Sequence, residues 1–317
     1  MKRSRLQNKV AGSELTLPVC AVAAAILWWL PQGAFSVSGL LGLALCLLTT
    51  YIIMETNARQ HIIRIRTRMV SCVWLALATC LPFMHSLEAP LISATFLCIS
   101  YLLLFLCYQR HRPQAYVFHV FLTLGIGSFF APVMLLMAVP FFLYLVVFLR
   151  SLTWKAFWAG LLGLVTPYWC YAVWLYSASS QSLSEVRGFP YKCFEITFSP
   201  LLGEGSEMRL FSFAVLALLC IVSIIHYLRT NYDDKIRVRM FLYIYIVQTV
   251  LLTVSLVLQP AQYETTMALL VASASPLIAH YFALSKGILN TIFFVFSLLL
   301  VAALAVMNLW MTSFSIF

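Results

Sequence analysis

Glu88, Arg187, Glu195 and Glu264 are the residues of this chain whose types and placing could do chemistry. Two carboxylates brought to one site can share acid–base work or help hold a metal. Arg187 and Glu195 belong to a stretch from Ser177 to Arg209 that also holds Glu185, Lys192, Glu204 and Glu207, with Pro190, Tyr191 and Phe194 among them. Glu88 and Glu264 each stand just before an apolar run and are placed to join that stretch. The plainer reading is that the stretch only bridges two helices.

Much chemistry is excluded by what the sequence lacks. No GxxxxGK[ST] loop is present to cradle a nucleotide phosphate, and neither HExxH nor GxSxG occurs. The nine cysteines form no CxxC and no Cys/His cluster with zinc spacing, so neither cofactor nor metal is expected. Eight of them (all but Cys193) fall inside apolar runs, where a thiol behaves as a small hydrophobe.

Those runs are the elements that must position any site. The chain has 317 residues, 63% hydrophobic and only 9% charged, with a mean hydropathy of +0.96. A soluble domain carries about 25% charged residues. The composition therefore predicts an all-α integral membrane protein, and ten-residue alternating strands of a barrel are absent. Eleven spans can be drawn: Leu15–Leu30, Val37–Met54, Met69–Met84, Leu91–Tyr108, Ala115–Ser128, Pro132–Leu149, Ala156–Tyr176, Leu210–Leu228, Met240–Leu258, Thr265–Leu284 and Ile288–Trp310. They form a single membrane domain over residues 1–317, with a short basic tail at 1–14 and one long loop at 177–209.

Charge sets the orientation. Of the twenty Lys and Arg residues, all but Arg187, Lys192 and Arg209 fall in every second gap. Cytoplasmic loops carry the excess of positive charge. The N-terminus is therefore predicted inside and the C-terminus outside, and Glu88, Glu264 and the long loop share the outer side. The count depends on residues 115–149, an uncharged apolar stretch. As one helix it would be ~52 Å long, far beyond ~30 Å of hydrocarbon. Gly125, Gly127, Ser128 and Pro132 mark a turn instead, with Gly127 expected to supply a positive φ.

Other residues have simpler expected roles. The tryptophans fall near span ends and read as headgroup anchors. The net charge of +10 is spread over short loops without a basic domain, which argues against nucleic acid and for a lipid bilayer as partner. His119, His226 and His280 lie near inner span ends, but no carboxylate is expected at their depth to make a proton relay. The tenth span is rich in small and hydroxyl residues, which suit close helix packing or a polar cavity shared with Gln248, Thr249, Thr253 and Ser255.

The run Gly125-Ile-Gly-Ser-Phe-Phe-Ala-Pro132, followed by Leu152-Thr-Trp-Lys-Ala-Phe157 and Gly160-Leu-Leu-Gly-Leu-Val-Thr-Pro-Tyr168, resembles a family of uncharacterised bacterial multi-pass inner-membrane proteins. The resemblance covers residues 115–170 and implies a bacterial inner membrane. It brings no activity with it. Multi-spanning glycosyltransferases that use lipid-linked sugars resemble one another in an acid on the first outer loop, whereas Pro31-Gln-Gly-Ala-Phe-Ser36 has none. The expected role is a non-catalytic subunit or scaffold of a cell-envelope assembly system, with a membrane-protein partner or a lipid-linked substrate. The alternatives are a flippase, polymerase or transferase for lipid-linked or apolar precursors, and a small-solute transporter.

Overall fold

The computed structural model describes residues 6–29, 36–178, 207–285 and 287–314. Among these the chain is helical, with no strand. The helices are α1 (Leu6–Gly12), α2 (Thr16–Trp29), α3 (Val37–Gln60), α4 (Met69–Thr79), α5 (Ala89–Phe105), α6 (Gln114–Gly127), α7 (Val133–Leu136), α8 (Ala138–Val147), α9 (Trp154–Ala178), α10 (Glu207–Thr230), α11 (Ile236–Leu258), α12 (Tyr263–Leu284) and α13 (Ile288–Phe314). Six segments, in α3 and α9 to α13, are long and apolar enough to cross a membrane, and shorter apolar helices accompany them.

Helix ends follow local chemistry. The Ser36 hydroxyl accepts from the Gly39 amide at 3.0 Å and starts α3, while His61 at φ 52° ends it by donating its amide to the Asn57 carbonyl. Pro90 in the first turn of α5 loses no hydrogen bond, because that amide would be an orphan anyway.

The core is organised around α12. Of its most apolar 18-residue window 94% is buried, and α4, α5, α10 and α11 pack on it. The small residues Ala268, Ala272, Ser273, Ala274 and Ser275 allow that enclosure. Hydroxyls then join helices in the buried core: Tyr101 bonds Ser273 at 2.8 Å, Thr49 bonds Thr95 at 2.7 Å, and Tyr144 donates to Gln248 at 2.9 Å. The space between Tyr101, Tyr245, Ala272 and Pro276 is only about 10 Å³, at the lower limit for one water. Ser273 of the tenth span thus serves helix packing, while Thr265 at its start lines a cleft at one end of the bundle.

The predicted break after α6 is present, but for a different reason at Gly127. Its φ is not positive; a β-carbon there would meet the Met134 side chain at 2.6 Å. Ser128 closes the helix by donating to the Gly125 carbonyl at 2.6 Å, and its hydroxyl also meets the Tyr168 hydroxyl. Glycine also lets α6 and α9 touch backbone to backbone, since a β-carbon on Gly163 would lie 2.3 Å from the Phe118 carbonyl oxygen.

Two of the expected anchors are core residues. Trp28 and Trp74 are fully buried, whereas Trp154, Trp158, Trp169 and Trp174 on α9 are exposed on the apolar flank.

Candidate functional site

The starts of α5, α10 and α12, together with the break before α7, leave a cleft of about 770 Å³ at one end of the bundle. Sites for small ligands span roughly 300–1,000 Å³. Glu88 caps α5 with extended backbone, and Glu264 occupies the first turn of α12. Each carboxylate thus sits at a helix N-terminus, where the helix dipole favours negative charge. Both line the cleft and both are exposed.

Arg209, near the start of α10, completes the polar wall. Its Nη2 lies 3.7 Å from Glu264 Oε1, with side-chain exposures of 56% and 46%. A pair this exposed contributes only about 0–1 kcal/mol, so a ligand can displace it at small cost. The guanidinium also lies 5.7 Å from the Tyr263 ring centroid, and the Tyr263 hydroxyl donates to the Arg209 carbonyl at 2.8 Å. Buried Tyr263 therefore ties the start of α10 to the start of α12 and sets the distance across that wall. Below it, Asn308 donates to Ser212 at 3.1 Å and to the Cys80 carbonyl at 3.0 Å, which holds α13 and the end of α4 to α10.

The remaining lining is mixed. Ala89, Pro90, Phe130 and Pro132 are apolar, while Gln259 and Gln262 bring amides. No His or Cys lines the cleft, and among the described residues no group of three or more His, Cys, Asp or Glu is placed to hold a metal. The arrangement can hold a polar head that bears both charge signs against an apolar shoulder.

Of the four residues singled out by sequence, Glu88 and Glu264 share the cleft. Arg187 and Glu195 lie outside the described residues. Arg209 was not singled out, although it ends the same charged stretch and starts the next apolar run.

The opposite end of the bundle overturns one expectation. A carboxylate does reach His280: Asp234 Oδ2 lies 3.0 Å from Nε2, and both side chains are 2% exposed. The Tyr227 ring meets the imidazole edge-on with centroids 5.1 Å apart. The loop between α10 and α11 folds over the end of α12 and carries Asp234 inward. The adjacent Asp233 pairs with Arg64 at 3.3 Å, which ties that loop to the α3–α4 connection.

No family model, no curated protein and no solved structure matches this chain.

Proposed function

We propose that this protein is a non-catalytic subunit or scaffold of a cell-envelope assembly system in a bacterial inner membrane. The chain crosses eleven times, with the N-terminus in the cytoplasm and the C-terminus outside. The cleft of Glu88, Arg209 and Glu264 then opens on the outer side, where it holds the polar head of a lipid-linked ligand or partner. One observation carries this reading: two carboxylates and a weakly paired arginine converge beside apolar walls at the end of a membrane-sized bundle. The charge bias of the loops supports the orientation, and a helix break at 128–132 is compatible with the eleven-span count.

A second reading rests on the carboxylate pair alone. Glu88 and Glu264 on one cleft are the equipment of a flippase, polymerase or transferase that moves or joins lipid-linked precursors.

Mass spectrometry of lipids retained by the purified protein tests both. Wild type should carry a lipid-linked polar ligand that a triple alanine variant at Glu88, Arg209 and Glu264 has lost, while that variant still inserts and melts normally. Retention of the same lipids by the variant would reject the cleft as the site. Release of an altered precursor by wild type alone would favour the second reading.

A further inference from the structure

The end of the bundle opposite the cleft carries charge of mostly one sign. Residues 55–68 and 229–239 hold eight Lys and Arg against Glu55, Asp233 and Asp234. Asp234 is withdrawn from the surface by its buried pairing with His280. The two segments are far apart in sequence but fastened together in space. Arg64 reaches Asp233 at 3.3 Å, and Arg237 donates to the Gln60 side chain while its guanidinium lies 5.4 Å from the Phe241 ring centroid.

The connection between α3 and α4 is held in one shape. The Asn57 side chain accepts from the Ile63 amide and donates to the Thr67 carbonyl, each at 3.2 Å. The Thr67 hydroxyl in turn donates to the Ala11 carbonyl at 2.6 Å. Ile62, Ile63 and Thr67 are buried, while Arg64, Arg66 and Arg68 stay exposed. Across the Arg64–Asp233 bridge, Lys235 and Arg237 are exposed as well. Among the described residues Arg66, Arg68 and Lys235 have no acidic partner.

Helix stability does not account for these cations. Arg68 and Lys235 stand at the N-caps of α4 and α11, where their side chains make no capping bond and the helix dipole disfavours positive charge. Orientation in the membrane needs only a number of cations, not a braced frame that gathers them. An anion drawn to the surface offsets both their repulsion and the unfavourable dipoles. The apolar neighbours indicate its source. Ile65 lies between Arg64 and Arg66, and Ile236 between Lys235 and Arg237, with 39% and 63% of their surfaces exposed. Side chains so placed suit acyl chains, which a free phosphate lacks.

We propose that this surface binds an anionic phospholipid of the bilayer. Arg66 and Arg68 hold the phosphate oxygens through paired N–H donors, and Lys235 adds a compact positive charge. The acyl chains run past Ile65 and Ile236. This site is separate from the cleft and does not depend on any role assigned there.

The experiment offers phosphatidylglycerol or phosphatidylcholine with identical chains to the full-length protein in detergent, and native mass spectrometry reads the bound fraction. Wild type should bind phosphatidylglycerol about tenfold more tightly, and added salt should weaken that binding. A triple variant, Arg66→Gln with Arg68→Gln and Lys235→Gln, should bind the two lipids alike. Equal binding of both lipids by wild type would overturn the proposal, and so would an undiminished preference in the variant. Displacement of the lipid by an equal concentration of glycerol 3-phosphate would overturn the lipid as the source. Fewer cations also weaken the signal that orients the chain, so wild type itself is cross-linked with phosphatidylglycerol bearing a photoreactive head. The adducts should map to residues 61–68 and 229–239, and adducts confined to other segments would reject the site.

Discussion

Trp28 stacks on His85 with ring centroids 4.3 Å apart and planes 19° from parallel. The indole Nε1 donates to the Gly39 carbonyl at 3.0 Å, and His85 Nε2 meets the Thr79 carbonyl at 2.9 Å. The stack fastens the end of α2 to the α4–α5 connection and to the first turns of α3. Burial pushes His85 down from 6.5 to about 4, so the imidazole is neutral in the fold at physiological pH.

A pH dependence follows from that shift. The unfolded histidine takes a proton near its ordinary value and the folded one only near 4. The stabilisation is complete above pH 6.5 and is lost as pH falls through the interval below it, at up to ~1.4 kcal/mol per pH unit. Thermal unfolding in detergent should show a midpoint that drops between pH 6.5 and pH 4.5. His85→Gln should flatten the part of the drop that belongs to this residue. An unchanged slope in the variant would place the pH sensitivity elsewhere.

Glycine-dependent contact between α6 and α9 gives a second prediction. Gly163→Ala forces a methyl group against the Phe118 carbonyl, and backbone cannot swing aside as a flexible side chain can. Overpacking of this kind costs about 1–3 kcal/mol. The melting temperature should fall clearly for Gly163→Ala and also for Gly127→Leu. Gly12→Ala, which meets nothing within 4 Å, is the control and should melt as wild type does. If Gly163→Ala melts as Gly12→Ala does, the close approach of α6 to α9 is wrong; Gly127→Leu tests the contact with Met134 instead.

The Asp234–His280 pair should be costly to break from one side. Removing one partner of a buried hydrogen bond leaves the other unsatisfied, which typically costs about 1–3 kcal/mol and more when a charged group is involved. Asp234→Ala should therefore sharply lower the yield of folded protein, whereas Arg64→Ala, which removes a half-exposed pair, should change stability by less than ~1 kcal/mol. Comparable yields for the two variants would show that the inner pair contributes little.

Reporter fusions check the orientation on which the outward cleft depends. A fusion after Phe317 should be active only for a reporter that works outside the cytoplasm, and one within 229–239 only for a cytoplasmic reporter. Activity of the same reporter at both places would refute the eleven-span topology.

Sequence and structure agree where apolar runs decide the outcome. Each of the eleven predicted spans contains helix, since unbroken apolar stretches bounded by charge leave little else to form. Glu88 and Glu264 could be placed together because each stands at the start of a helix, and charge counting assigns both starts to one side. Arg209 was harder to see, as one of several charges in a long stretch whose closing position only packing reveals. Asp234 was missed because no periodicity records how far a connecting loop leans over a helix end. The same holds for Trp28, whose type suggests the interface and whose burial comes from His85, distant in sequence.

The enclosure of α12 has a consequence for biogenesis. This helix lies close to the C-terminal end of the chain, yet the helices that surround it, α4, α5, α10 and α11, all precede it in synthesis. They enter the bilayer before their common neighbour exists. Until residues 263–284 arrive, hydroxyls such as that of Tyr101 lack the partners they have in the finished molecule. The contacts that α4, α5, α10 and α11 make with α12 can therefore form only after it is inserted. A ribosome-stalled chain that ends before Tyr263 should accordingly be far more open to protease and membrane quality control than one stalled a few turns beyond Leu284.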